Sequence, residues 1–202
     1  MERSHDSGCE HEGNGEGGSE RYVEKRLLEQ RTIVLSGEIN DRSARSVVSK
    51  LLVLDADGPD KPVTLVINSG GGSISSGFAM YDTIRMIDAP VTTVGSGVVA
   101  SMGVILFLAV PRERRLSLTN ARFMIHQPLI SGTVVAPASD LEINAREMIK
   151  LKERLNQIIA QATGMAIEKV EKDTLRDFWL SAEEACQYGI VGKVIASRRA
   201  LP

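Results

Sequence analysis

Ala89-Pro90-Val91-Thr92-Thr93-Val94-Gly95-Ser96-Gly97-Val98-Val99-Ala100-Ser101-Met102-Gly103-Val104-Ile105-Leu106-Phe107-Leu108-Ala109-Val110 is a run of 22 residues without a charge. That is about the length a bilayer core requires, so the reading of this stretch decides what kind of protein this is. Pro90, Gly95, Gly97 and Gly103 interrupt it, and Thr92, Thr93, Ser96 and Ser101 add hydroxyls. These breakers divide the run into a short β-rich piece from Val91 to Val94, a small-residue turn, and an apolar helix from Met102 to Val110. The stretch is a buried strand–turn–helix, and no membrane partner follows.

The same alternation continues on both sides. Upstream, Thr32 to Leu35 reads as a strand, and Asp41 opens a helix with Val47, Leu51, Leu52 and Leu54 on one stripe. Asp57-Gly58-Pro59-Asp60 is a turn, and Val63 to Ile67 is continuously apolar, as for a strand buried on both faces. Ser69 to Ser73 crosses into a helix that turns Phe78, Tyr81, Ile84 and Ile87 inward. Downstream come a basic turn (Arg112, Arg114, Arg115) and short strands at Leu116–Leu118 and Phe123–Ile125. Ser139 with Glu142 reads as a capping box opening the longest helix, whose Leu141, Ala145, Met148, Leu155, Ile158 and Ala162 keep helical spacing until Gly164. Ser181 with Glu184 repeats the box before Gly189. Repeated strand–helix alternation predicts an α/β fold with mostly parallel pairing.

Composition narrows the function. The 202 residues carry a net charge of −2 and only 4% aromatics. No overall positive field and few stacking platforms speak for nucleic acid. Residues 1–20 hold six acids, five glycines and one arginine, with no apolar signal segment. They read as a disordered tail or removable leader, leaving 21–202 as a single domain. His5, Cys9 and His11 lie in that tail, where an unstructured polar segment is a simpler reading than a metal site. Cys9 and Cys186 are too few for a disulfide framework, which points to a reducing compartment, the cytoplasm.

Three features could carry chemistry. His126 is the one histidine beyond the tail, and it follows a β-rich run, where α/β proteins commonly present active-site groups. A structural, backbone-bonded histidine is the plain alternative. Ser101 sits at a strand-to-helix junction among small residues, where a sharp turn can expose a side chain and the first helical amides can face a developing anion. An N-cap serine is its plain alternative, since Val99 replaces the glycine of the usual hydrolase elbow. Gly70-Gly71-Gly72 lacks the Lys-Ser/Thr pair of a phosphate loop and the third glycine of a dinucleotide fingerprint. A glycine loop with a free amide suits an oxyanion hole better.

Taken in order, the motifs resemble the proteolytic subunit of the Clp protease over about Tyr22 to Ile195. They are Ile67-Asn68-Ser69-Gly70-Gly71-Gly72, Met80-Tyr81-Asp82-Thr83, Ala100-Ser101-Met102-Gly103, Met124-Ile125-His126-Gln127-Pro128 and Asp140-Leu141-Glu142-Ile143. Lys152-Glu153-Arg154-Leu155-Asn156, Asp173-Thr174-Leu175-Arg176-Asp177 and Ser181-Ala182-Glu183-Glu184-Ala185 with Tyr188-Gly189 complete the set. The resemblance implies a Clp protease/crotonase-like spiral of ββα units with a protruding handle at about 129–162. It implies a serine endopeptidase with Ser101 as nucleophile, His126 as base and Asp177 as the orienting acid, with Asp173 as a nearby rival. Backbone amides of Gly72 and Met102 would form the oxyanion hole, and Gly71, Val98, Val99, Pro128 and Leu129 would meet substrate. It further implies heptameric rings, of one subunit or two, stacked as a tetradecamer. An AAA+ unfoldase would feed them unfolded proteins for quality control; short peptides would enter unaided. ATP would be consumed by that partner, with no cofactor or metal in this chain. Four departures stand out: Gly70 replaces a usual proline, Val98-Val99 replace Gln-Ala, Leu175 replaces an acid before Arg176, and the handle loop is about two residues longer. A catalytically weak subunit of a mixed ring, or a crotonase-like acyl-CoA enzyme, are the alternative readings.

Overall fold

The computed structural model describes residues 15–129 and 135–201. In chain order the elements are α1 (Gly15–Glu29), β1 (Thr32–Ser36), α2 (Asp41–Ala56), β2 (Val63–Ser69), α3 (Ile74–Met86), β3 (Val91–Ala100) and α4 (Met102–Phe107). They continue as β4 (Arg115–Leu118), β5 (Arg122–Ile125), α5 (Ala138–Thr163), α6 (Ile167–Asp173), β6 (Phe178–Ser181), α7 (Ala182–Tyr188) and β7 (Lys193–Ile195). The sheet runs β1-β2-β3-β4-β7, all parallel, while β5 leaves β3 as a branch and pairs antiparallel with β6. The protein is a mixed α/β structure with a mostly parallel sheet, as the alternation predicts. None of the described helices is long and apolar enough to cross a membrane.

The charge-free run folds differently in detail from its sequence reading. The small residues Gly95-Ser96-Gly97 do not end the strand: β3 passes through them and reaches Ala100, and the helix that follows closes at Phe107. The reason is a change of partner. Thr93 to Gly95 pair with β4, and Val98 to Ala100 pair with β5. Gly97 supplies the bend between them with φ +63, a conformation easy only for glycine. The Asn68 carboxamide holds the bend by accepting from Val98 N at 3.1 Å.

Other expectations are also corrected. The long helix starts at Ala138 behind Pro137, not at a Ser139 capping box; the Ser139 hydroxyl reaches only the Asp140 carboxylate. Pro137 occupies the N-cap with φ −54, and its carbonyl accepts from Asp140 N and Leu141 N, each at 3.0 Å, with no side-chain cap. The box at Ser181 and Glu184 does form, in both directions. β2 is buried on one face only: Val63, Leu65 and Ile67 join the core, whereas Val66 is half-buried and packs against the small cluster of Val94, Leu116 and Ile195. Helix α1 begins at Gly15, so Gly15 to Glu20 of the acidic stretch are helical. Glu24 of α1 pairs with Lys50 at 2.5 Å, and that bond lowers the Glu24 carboxyl pKa. His5, Cys9 and His11 lie outside the described residues.

Arg115, read as part of a basic turn, is 4% exposed. Its guanidinium donates to the carbonyls of Val110, Ala162, Gly189 and Ile190, tying the ends of α5 and α7 to the sheet. Burial, and next the charge of Arg112, lowers its pKa to about 10, so it stays charged at neutral pH. Arg115→Met strands those carbonyls. The expected loss is about 3 kcal/mol, or about 6–12 °C in Tm for a domain of this size. An unchanged melting curve would show that the carbonyls find other partners.

Candidate active site

The ends of three neighbouring strands converge on one point. β3 and β5 run parallel with Ala100 opposite Met124, so Ser101 leaves the sheet beside the end of β5. Ser101 N donates to Met124 O at 2.8 Å and fixes that junction. β5 and β6 run antiparallel with Ile125 opposite Phe178, so His126, one residue beyond, faces Asp177, one residue before. The turn ahead of β6 is fastened to the same place. Gln127 N donates to Thr174 O at 2.6 Å, and Gln127 Nε2 donates to Leu175 O at 3.1 Å.

The register therefore assembles the side chains. His126 Nε2 lies 2.7 Å from Ser101 Oγ, and His126 Nδ1 lies 3.3 Å from Asp177 Oδ1. The imidazole is 17% exposed and the carboxylate 63%, so the acid is reached by water while the ring is largely enclosed. Ser101 does sit at the N-cap of α4, yet its hydroxyl makes no capping bond. Its backbone is at φ 55 and ψ −125, a conformation L-residues rarely hold, and one that turns the side chain out of the corner between strand and helix. The plain readings of both residues thus fail: the serine does not cap, and the histidine contacts side chains.

Asp173 is occupied elsewhere. It accepts from the Tyr188 hydroxyl at 2.8 Å and pairs with Lys169 at 2.7 Å. Burial, then the bond to Asp173, raises the Tyr188 pKa and keeps its proton in place. Of the two aspartates only Asp177 reaches the imidazole.

The glycine loop lies against the serine. Ile39 brackets it, donating its N–H to Gly71 O at 2.9 Å and accepting from Ser73 N at 2.8 Å, so the intervening Gly72 amide is left over. Met102 is the first residue of α4, an amide that a helix leaves without an internal partner. A Cβ on Gly71 would stand 2.6 Å from Ser101 Cβ and 3.1 Å from Met102 N, so the loop can approach only as glycine. Both amides border the serine.

A cleft of about 680 Å³ opens over Ser101 and His126, walled by Phe78, Pro128, Leu129 and Met148. A narrow apolar recess of about 30 Å³ runs beneath it, between Ile74, Ile105, Leu155 and Ile159. Pro128 and Leu129, expected to meet substrate, line this cleft, and Gly71 lies beside Ser101. Val99 is not: it is fully buried in the core, packed where Gly95 leaves room, and offers nothing to a substrate. Val98 is half-buried and lies outside the cleft lining. Glu38 and Leu151 also line the cleft and escape sequence reasoning. Glu38 is brought there by the pairing of Ile39 with the glycine loop, a contact with no local signal.

Fold and site together define an α/β protein with a serine hydroxyl bonded to an imidazole and flanked by free backbone amides. The family model of the Clp protease matches residues 15–198, and the chain belongs to the Clp protease family. Membership implies a peptidase role.

Proposed function

We propose that this protein is a serine endopeptidase in which Ser101, His126 and Asp177 act as a triad. The observation that carries the reading is the 2.7 Å contact of Ser101 Oγ with His126 Nε2, backed by Asp177 on the other ring nitrogen. With its proton on Nδ1 facing Asp177, the imidazole accepts the serine proton as Oγ attacks the scissile carbonyl. The resulting oxyanion is received by the amides of Gly72 and Met102, each contributing about 3–4 kcal/mol. His126 then protonates the leaving amine, and water repeats the sequence on the acyl-enzyme. No cofactor or metal enters these steps.

The apolar recess under Ser101 suits an apolar side chain next to the cut bond. Val99 in the core and open space around Gly70 favour an active enzyme over a catalytically weak subunit. The family match favours peptide over acyl-CoA chemistry. We read residues 21–202 as one domain, with α5 and the chain before it as the handle. Residues 130–134 of that handle lie outside the described positions. From Ala138 to Lys150 no residue of α5 is buried, as for a helix that projects from its own subunit. The half-exposed second sheet face at Val34 and Val66 likewise suits cover by neighbouring subunits. Heptameric rings stacked as a tetradecamer in the cytoplasm, fed by an ATP-consuming AAA+ unfoldase, complete the proposal.

Active-site labelling with a fluorophosphonate, followed by mapping of the modified residue, tests it directly: Ser101 should carry the label. The acid is tested by a pair of variants. Asp177→Asn should lower kcat by at least about 10²-fold. Asp173→Asn should keep hydrolysis and lose about 1–2 kcal/mol of stability with its Tyr188 bond. The reverse pattern would make Asp173 the acid.

A further inference from the structure

We propose that Glu38 selects substrates, giving the cleft a preference for a lysine or arginine side chain at one position near the cut bond. The inference rests on the peptidase reading above. The cleft is walled by apolar groups such as Phe78, Leu129, Met148 and Leu151, with the hydroxyls of Ser73 and Ser75 at its edge. His126 is engaged with Ser101 and Asp177, which leaves Glu38, among the described residues, as the one lining residue with a permanent charge. Among the described residues Glu38 takes part in no ion pair and no side-chain hydrogen bond, although the structure satisfies comparable acids at Glu24, Glu142 and Glu184. It is an unspent charge at the mouth of the site.

Its mounting is firm. Gly37 N donates to Asn68 O at 2.9 Å, and Ile39 is bonded on both sides to the glycine loop. Glu38 is the single residue between these anchors, so its backbone is held at a fixed place relative to the glycine loop, and the side chain reaches the cleft from there. A bound lysine or arginine could lay its methylene stem along the Phe78 and Met148 wall and carry its cation to Glu38, as such side chains do on apolar surfaces that end in a polar rim. An acidic side chain in the same place would meet like charge.

Glu38 is exposed to solvent, so the effect should be moderate: about two- to fivefold in kcat/KM for a partly solvated pair. The test uses the full-length protein and a set of internally quenched peptides. A single Lys, Gln or Glu is placed in turn at each position flanking the cleavage site. One position should favour Lys over Gln and Gln over Glu, and 0.5 M salt should shrink the difference. Glu38→Gln should erase the preference, and Glu38→Lys should reverse it. Hydrolysis without any charge preference, or a preference that survives both variants unchanged, overturns the inference alone. Absence of both hydrolysis and fluorophosphonate labelling overturns the peptidase reading, and this inference with it.

Discussion

Ser101→Ala should abolish peptide hydrolysis, a loss on the order of 10⁶ in kcat, while the fold survives. The hydroxyl caps nothing, and the bonds that fix this corner are backbone bonds: Ser101 N to Met124 O, and Val104 N to Ser101 O. Alanine keeps the Cβ and therefore the strain of φ 55, so its melting temperature should stay within about 2 °C of the parent. Ser101→Gly separates activity from strain. It too should be inactive, but relief of a strained backbone is worth about 1 kcal/mol after glycine's entropic cost, or about 2–4 °C in Tm. A dead enzyme that melts higher than the parent would identify the corner as a place where stability is given up for reactivity. Substantial turnover by Ser101→Ala, measured with a short fluorogenic peptide, would refute the triad.

The second large effect lies in the glycine loop, where three neighbouring glycines should behave in unlike ways. Gly72 has φ +146, and a Cβ there would collide with the Ile39 carbonyl. Gly72→Ala must turn that amide away, at about 10²–10³ in kcat for one oxyanion donor. Gly71 has φ +100 and would drive its Cβ to 2.6 Å from Ser101 Cβ and 2.9 Å from Ala100 O, so Gly71→Ala should displace the nucleophile itself and lose at least as much. Gly70 has no positive φ, and a Cβ there meets nothing within 4 Å. Gly70→Ala should leave kcat within about twofold and add a few tenths of a kcal/mol by stiffening the unfolded chain. Steady-state kinetics on the three variants, with folding checked by thermal melts, decides the matter. Full activity in Gly72→Ala would mean that its amide does not face the oxyanion.

Much of this was legible in the chain. β1, the Asp41 start of α2, β2 and the Ser181 box follow from local signals, because alternation, caps and turns act within a few residues. Ser101 and His126 stand out because they are polar groups at ends of apolar runs. What the sequence hid depends on distant partners. Gly95-Ser96-Gly97 looks like a turn by composition, yet pairing with β4 and then β5 outweighs that preference and carries the strand through. Val99 looks like a neighbour of substrate because it is two residues from Ser101, but alternation along β3 and the space left by Gly95 turn it into the core. Arg115 looks like a surface cation until four carbonyls surround it. Asp173 and Asp177 differ only in where Tyr188 and His126 lie, which no local pattern records. Glu38 is invisible for the same reason: 31 residues separate it from Gly70, where the loop that gives it a role begins.

The branch of the sheet at β3 also bears on when the site comes into being. Domains form progressively as the chain leaves the ribosome, at about 5–20 residues per second. Ladders between distant segments close late, because the intervening loop must first be ordered. Ser101 and His126 are synthesised some fifty residues or more ahead of Asp177, but β5 keeps an unpaired edge until Phe178–Ser181 arrives to meet it, and Asp177 immediately precedes that strand. A nascent chain therefore passes through an interval in which Ser101 and His126 exist without the β5–β6 register that sets Asp177 against the imidazole. In a protein whose proposed trade is cutting unfolded polypeptide, its own emerging chain and those around it are the nearest targets. Placing Asp177 at the start of the last strand of the branch makes the proposed acid the last of the three side chains to reach its place.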